Sequence, residues 1–423
     1  MMEKFFYPQV GETLYKATLP CGLQVAVLPR PGFTKKLCYF VTDYGSIHRD
    51  FTVDGTPFSA PAGVAHYLEH KLFDMPGRDI SAEFSALGAS VNAFTSYDMT
   101  AYYFSCTDHF KENLALLLEF VATPYFTEES VAKEQGIIGQ EIDMNEDSPD
   151  TKLFELLVEA MYESHPIRTP ILGTRESIAR ITPEVLNICH RAFYQPDNMF
   201  LCVMGDVDPE EVATLAENAL QDLPRPTLSA TRDWEESTTV KTHHVTRLME
   251  VAMPMFQLGF KSAALPNGGA GVRQEIIGDL AAEALFGESS QLYLKLYDEG
   301  LIDASFGGGY ETIEGMSMLS ASGDSEDPSA VAEAILAEAK RLGQTGISDA
   351  DFLRMKRSAL GRRIRSIDSF ASTCFRLCAY HFSKFDYFRI PHIYEQITKE
   401  EILEFIQDVV AQDRMCLAII SPK

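Results

Sequence analysis

The sequence predicts an α+β protein of two homologous domains, each a largely antiparallel sheet with helices packed on one face. Three observations predict it. The 423 residues are 46% hydrophobic and 23% charged, which is a globular composition on a chain too long for one average domain. A pattern also repeats: "ITPEVLNICHRAFYQPDNMFLCVMGDV" starts at Ile181 and "ITKEEILEFIQDVVAQDRMCLAIISPK" at Ile397. In both, Ile-Thr opens a capped helix, and a Met at the same place further on, Met199 or Met415, begins an apolar strand. Finally, strand patterns such as "LQVAVLP", "KLCYFVTDYG" and "TAYYFSC" alternate with long amphipathic stretches.

Element by element, "SVNAFTSYDMTAYYFSC" reads as two strands joined by a turn at Ser96–Asp98. Amphipathic helices are expected around 112–122, 127–163 and 329–342. The stretch 223–244 is rich in Pro, Ser and Thr, so it marks a linker between domains at 1–222 and 245–423. "LPNGGAGV" (265–272) and "FGGGY" (306–310) lack the Lys-Ser/Thr of a phosphate loop and read as turns.

A net charge of −25 argues against nucleic acid, because nothing here neutralises phosphates in bulk; it reads first as a solubilising surface and otherwise as an attraction for basic peptides. No segment reaches the ~18 apolar residues of a membrane span, and the first twenty residues lack the apolar run of a signal peptide. Eight cysteines lie singly, mostly in apolar runs, as buried reduced thiols do, and the chain is expected in the cytoplasm. Cys374 and Cys378 are four apart, but no second pair completes a zinc clip.

"GVAHYLEHKLFDMPG" (63–77) carries the chemistry. His66 and His70, four apart on a helix, can present both imidazoles to one ion. Glu69 lies beside that face, close enough to activate a metal-bound water without being a ligand. H-x-x-E-H is the inverted form of the commoner H-E-x-x-H zinc motif. A third ligand must come from elsewhere. In "KEQGIIGQE", Glu134, Ile137, Ile138 and Glu141 follow i, i+3, i+4, i+7; carboxylates on an apolar stripe need a partner, such as a metal, unless they flank it and reach solvent. Glu146, in "NEDSPD", is a rival acid in a setting that suggests solvent.

These blocks resemble the pitrilysin (insulinase, mitochondrial-processing-peptidase) family of inverted-zincin zinc metallopeptidases over nearly the full chain. The length is similar to that of the short, two-domain bacterial-type members. The resemblance implies that each domain forms half of a clam-like chamber, and that Zn²⁺ is held by His66, His70 and Glu141. It also implies Glu134 as the supporting carboxylate and Glu69 as the general base. "SVNAFTSYDMTAYY" resembles the segment that pairs with substrate backbone, which implies Asn92 and Ala93 as substrate-binding residues. "HPIRTPILGT" and "YQPDNMFLCVMGDVD" are similar to family blocks read as structural.

The second half departs from that pattern. Its counterpart region has no histidine, so one metal per chain is implied. Many relatives carry there an Arg and a Tyr, seven apart, that serve the substrate and the oxyanion. The alignable positions here are Leu296 and Asp303, while Tyr297 and Tyr310 read as packing aromatics. The implied function is a zinc endopeptidase for extended or unfolded peptides; the alternative is a non-catalytic or conditionally active peptide-binding subunit of a heterodimeric complex. Either way a dimer is implied, homodimeric or paired with a degenerate homologue.

Overall fold

The computed structural model describes residues 1–232 and 234–423, which fall into two compact units. The first comprises Met1–Ile142, Pro170–Thr231 and Ile364–Arg389; the second comprises Asp143–Thr169, Arg232–Arg363 and Ile390–Lys423. Compactness therefore groups the chain differently from a single cut at the linker.

The first unit is built on a sheet of seven strands. They are β1 (Glu3–Tyr7), β2 (Glu12–Thr18), β3 (Gln24–Pro29), β4 (Lys36–Thr42), β9 (Ser90–Thr95), β10 (Thr100–Cys106) and β11 (Met199–Gly205), in the order β1-β2-β3-β11-β4-β10-β9. All neighbours are antiparallel except β11 with β3. Short strands β5 (Asp50–Val53) and β6 (Thr56–Ser59) form a separate hairpin, as do β7 (Asp74–Met75) and β8 (Arg78–Asp79). The linker contributes β12 (Leu228–Ala230), paired with β5, so it is not featureless. The helices are α1 (Val64–Leu72), α2 (Ile80–Ala86), α3 (Phe110–Ala122), α4 (Glu128–Glu146), α6 (Arg175–Ile178), α7 (Pro183–Phe193) and α8 (Pro209–Leu220). Val25, Val27, Phe40, Phe104 and Leu201 point from the sheet into the core they share with these helices.

The second unit has five strands in the order β13-β17-β14-β16-β15, namely β13 (His244–Met249), β14 (Met255–Ser262), β15 (Gly307–Ile313), β16 (Met316–Asp324) and β17 (Met415–Pro422). Only β13–β17 is parallel. Its helices are α5 (Pro149–Met161), α9 (Gly269–Phe286), α10 (Gln291–Asp298), α11 (Pro328–Thr345), α12 (Asp349–Ser366), α14 (Ile390–Gln396) and α15 (Lys399–Val409). The repeat holds in three dimensions: α7 with β11 and α15 with β17 start at matching positions, and each strand lies between a parallel and an antiparallel neighbour.

Each unit also takes in a helix from the other half of the sequence. α5 packs on β14 and β17, where Leu157 and Met161 fill the space that a side chain at Gly259 would take. α13 (Phe370–Phe382) packs reciprocally on β11 and β4, with His381 stacked 3.9 Å from Phe200 and Phe375 against Phe94 at 5.9 Å. Phe94 and Phe200 lie outside the main core, so α13 covers the sheet face opposite the other helices. The amphipathic run 127–163 is thus two helices, broken at Asp147–Ser148, where the Ser148 side chain caps α5. The glycine-rich stretches likewise differ from the turns expected: 269–272 is the first turn of α9, and 307–310 lies within β15.

Candidate metal centre

Local backbone chemistry sets the start of α1. Gly63 is its N-cap at φ +91°, and a Cβ there would sit 2.4 Å from the Leu172 carbonyl oxygen, so only glycine fits. Val64, Ala65, Tyr67, Leu68 and Leu72 then bury one side of the helix. His66 and His70 stand one turn apart, ring centroids 4.5 Å from each other.

α4 brings the acids. The Tyr67 hydroxyl donates to the Val131 carbonyl, Gln135 Nε2 to the Ile178 carbonyl (3.2 Å) and Arg175 Nη2 to the Gly139 carbonyl (2.9 Å), which fixes the rotation of α4. Ile138 and Ile142 are buried, but Ile137 is 45% exposed, so the apolar stripe is narrower than the spacing suggested. Glu134 and Glu141 lie at its edge.

His66 Nε2 and His70 Nε2 lie 3.6 and 3.7 Å from the same oxygen, Glu141 Oε2. The three donor atoms fall within 4.8 Å of one another. A tetrahedral zinc with ligands at about 2.0–2.1 Å sets its donors roughly 3.3 Å apart, so this N, N, O set fits such an ion with small adjustment. Glu134 Oε1 lies 2.9 Å from His70 Nδ1. A proton shared there leaves the Nε2 lone pair facing Glu141, the usual carboxylate–histidine support of a metal ligand.

The pKa values of the two imidazoles are shifted in opposite directions. Burial, with His70 alongside, lowers the pKa of His66 to about 3, so its imidazole is neutral and ligand-ready near neutral pH. Burial also disfavours a charged His70, but the bond to Glu134 and the charges of Glu69, Glu134 and Glu141 outweigh it and raise the pKa. Glu69 is raised by burial and by Glu141, against the Thr95 bond and His70. Glu69 is not among the three clustered donors; Thr95 Oγ1 donates to its Oε2 at 2.7 Å. Thr95 was not singled out from the sequence, where no spacing distinguishes it from the other residues of its strand.

Asn92 and Ala93 lie on β9, the edge strand of the sheet, whose other side pairs with β10. The Ala93 amide donates to the Asn92 side-chain oxygen at 2.9 Å. The rival acid Glu146 is taken up by Lys152 and Arg247. In the second unit, Leu296 is fully buried, and Asp303 is occupied by Ser305. Tyr310 packs in the core and bonds Ser262, whereas Tyr297 is half exposed and stacks on Tyr293. His165 and His190 bond backbone carbonyls at 2.9 Å, His243 bonds the Met415 carbonyl, and His244 opens β13. All eight cysteines are free and buried.

The family model described as insulinase (peptidase family M16) matches residues 59–175, and that described as the peptidase M16 inactive domain matches residues 180–359. A Bacillus subtilis protein named as an uncharacterized zinc protease, YmfH, is 37% identical over 429 residues, covering 100% of both chains. The crystal structure of an M16-like peptidase from Alicyclobacillus acidocaldarius superposes with a TM-score of 0.92 at 32% identity, covering 100% of this chain and 99% of that one. A protease from Helicobacter pylori shares the fold, with a TM-score of 0.80 at 18% identity over 97% of this chain and 99% of its own. With both parts of the family pattern matched in order and a full-length relative at this identity, the chain belongs to the M16 (insulinase) family of peptidases.

Proposed function

We propose that the chain is a zinc endopeptidase that hydrolyses extended or unfolded peptides. The observation that carries the reading is the grouping of His66, His70 and Glu141 around one point, with a separately held carboxylate, Glu69, beside it. Zinc bound there would polarise the scissile carbonyl and ease deprotonation of water. His66 and His70 supply neutral nitrogens, Glu141 supplies the anionic ligand, and Glu134 fixes the tautomer of His70. Glu69 takes the proton from the attacking water and returns it to the leaving amine. An extended substrate adds as a strand along the edge of β9, where the Ala93 amide exchanges its Asn92 partner for a substrate carbonyl. The overall charge of −25 favours basic peptides.

A second reading, a peptide-binding subunit that is silent or active only in a pair, is favoured by Leu296 and Asp303 standing where many relatives carry an Arg and a Tyr. Under the endopeptidase reading a dimer, with itself or with a degenerate homologue, supplies the oxyanion donor; a fully active monomer on size-exclusion chromatography contradicts this. The buried free cysteines support a reducing, cytoplasmic setting. No helix of the described residues is long and apolar enough to cross a membrane. The deciding experiment compares cleavage of an unfolded basic peptide by wild type and Glu69→Gln, with zinc measured in both. Zinc in both and cleavage only by wild type supports the endopeptidase. Zinc in both and no cleavage by either, alone or paired, supports the binding subunit.

A further inference from the structure

We propose that Thr95 is a positioning residue for the Glu69 base, holding its carboxylate from the strand on which the substrate would lie. The proposal rests on the endopeptidase reading and adds to it the group that decides which carboxylate oxygen works.

A threonine hydroxyl has one proton to give, and Thr95 gives it to Glu69 Oε2 at 2.7 Å. One lone pair of Oε2 is thereby taken, and Oε1 keeps both of its own for the proton of the attacking water. The donor is itself firmly held. Thr95 is the last residue of β9, opposite Thr100 of β10, and the turn between them is closed by Ser96 N to the Met99 carbonyl at 2.8 Å. The fully buried Thr100 is anchored in turn by its hydroxyl on the Tyr44 carbonyl at 2.8 Å. Thr95 is also β-branched, so its χ1 has few alternatives.

Glu69 is consequently fixed at both ends from different elements: its backbone belongs to α1 and its carboxylate to the β9–β10 hairpin. A glutamate has three side-chain torsions, and this one stands next to the ligand His70 and within electrostatic reach of Glu141. Released from Thr95, the carboxylate could turn away from its working position or turn toward the ligand group. Thr95 therefore keeps Glu69 a base and not a fourth ligand. Because β9 is also the proposed docking edge, seating a substrate strand and aiming the base depend on the same hairpin.

The test uses the full-length, zinc-loaded chain with Thr95→Val, which has nearly the same shape but no hydroxyl, and Thr95→Ser, which restores the donor. Steady-state cleavage of an unfolded basic peptide, zinc content, thermal midpoint and a crystal structure are measured for each. The expected result for Thr95→Val is a kcat lower on the order of tenfold to a hundredfold, the range for a misplaced catalytic group, with KM, zinc content and midpoint little changed. Thr95→Ser should recover most of the loss, and the Glu69 carboxylate of Thr95→Val should be rotated or disordered. A Thr95→Val enzyme with wild-type kcat, or with the Glu69 carboxylate unmoved in its crystal structure, overturns the proposal. Wild-type cleavage by Glu69→Gln would instead overturn the underlying base assignment. The crystal structures decide the Thr95 contact even where no cleavage is seen.

Discussion

The two units place a helix against a strand hairpin in the same way, α1 on β9 and β10 in one, α9 on β15 and β16 in the other. Their side chains at the contact are opposite in character. At the offset that relates Ile181 to Ile397, the counterparts of His66, Glu69 and His70 are Ala282, Leu285 and Phe286, all buried. The residue equivalent to Asn92 is Gly308, where a Cβ would lie 2.3 Å from the Phe286 ring. The second unit shows what this scaffold accepts when only packing matters: apolar residues on the helix and a close glycine beneath an aromatic ring. The first unit puts two imidazoles and a carboxylate in the same place, which is unfavourable unless something compensates for the lost hydration. A cation held between His66, His70 and Glu141, as proposed above, would be that compensation.

Changing Glu69 should break this contrast most severely. Glu69→Gln keeps size and burial but removes the base, so peptide cleavage should fall by about 100- to 10,000-fold while zinc content is unchanged. Glu134→Gln should come next, because it loosens the His70 ring without removing a ligand; competition with a chelator should show zinc affinity or activity reduced by about 10- to 100-fold. A reciprocal exchange sharpens the comparison. Leu285→Glu puts an unpaired carboxylate where the second unit is fully buried, and urea denaturation should show a loss of roughly 3 kcal/mol or more. Glu69→Leu, by contrast, should leave the metal-free chain as stable or more so by about 1 kcal/mol, the usual mark of a functional polar residue. A last effect concerns the backbone: Gly63→Ala, at φ +91° against the Leu172 carbonyl, should lower stability by about 1–3 kcal/mol.

Much of this was legible in residues close in sequence. The His66–His70 spacing fixes a shared face on any helix, and the repeat at Ile181 and Ile397 pointed to the doubled architecture because a helix, a cap and a strand recur at one offset. Glu141 was harder, far along the chain from His70, and the pattern that suggested it was partly mistaken, since Ile137 points to solvent. Thr95 was not legible, because a hydrogen bond from a strand end to a helix side chain leaves no period to count. The exchange of α5 and α13 was equally hidden. Both helices have apolar faces that would suit either sheet, and only the packed structure shows which one each covers. The stretch "FGGGY" read as a turn because the role of its middle glycine, Gly308, clearance for Phe286, depends on a distant ring.

On the proposed reading the chain binds one metal ion, held by α1 and α4 of the first unit. Zinc per chain, measured by elemental analysis on purified wild type, His66→Ala and Glu141→Ala after dialysis against trace chelator, tests it most directly. One equivalent is expected in the wild type and close to none in either variant, with both variants still folded by circular dichroism. Retention of zinc by both variants, or a folded wild type that takes up none when zinc is supplied, would contradict it.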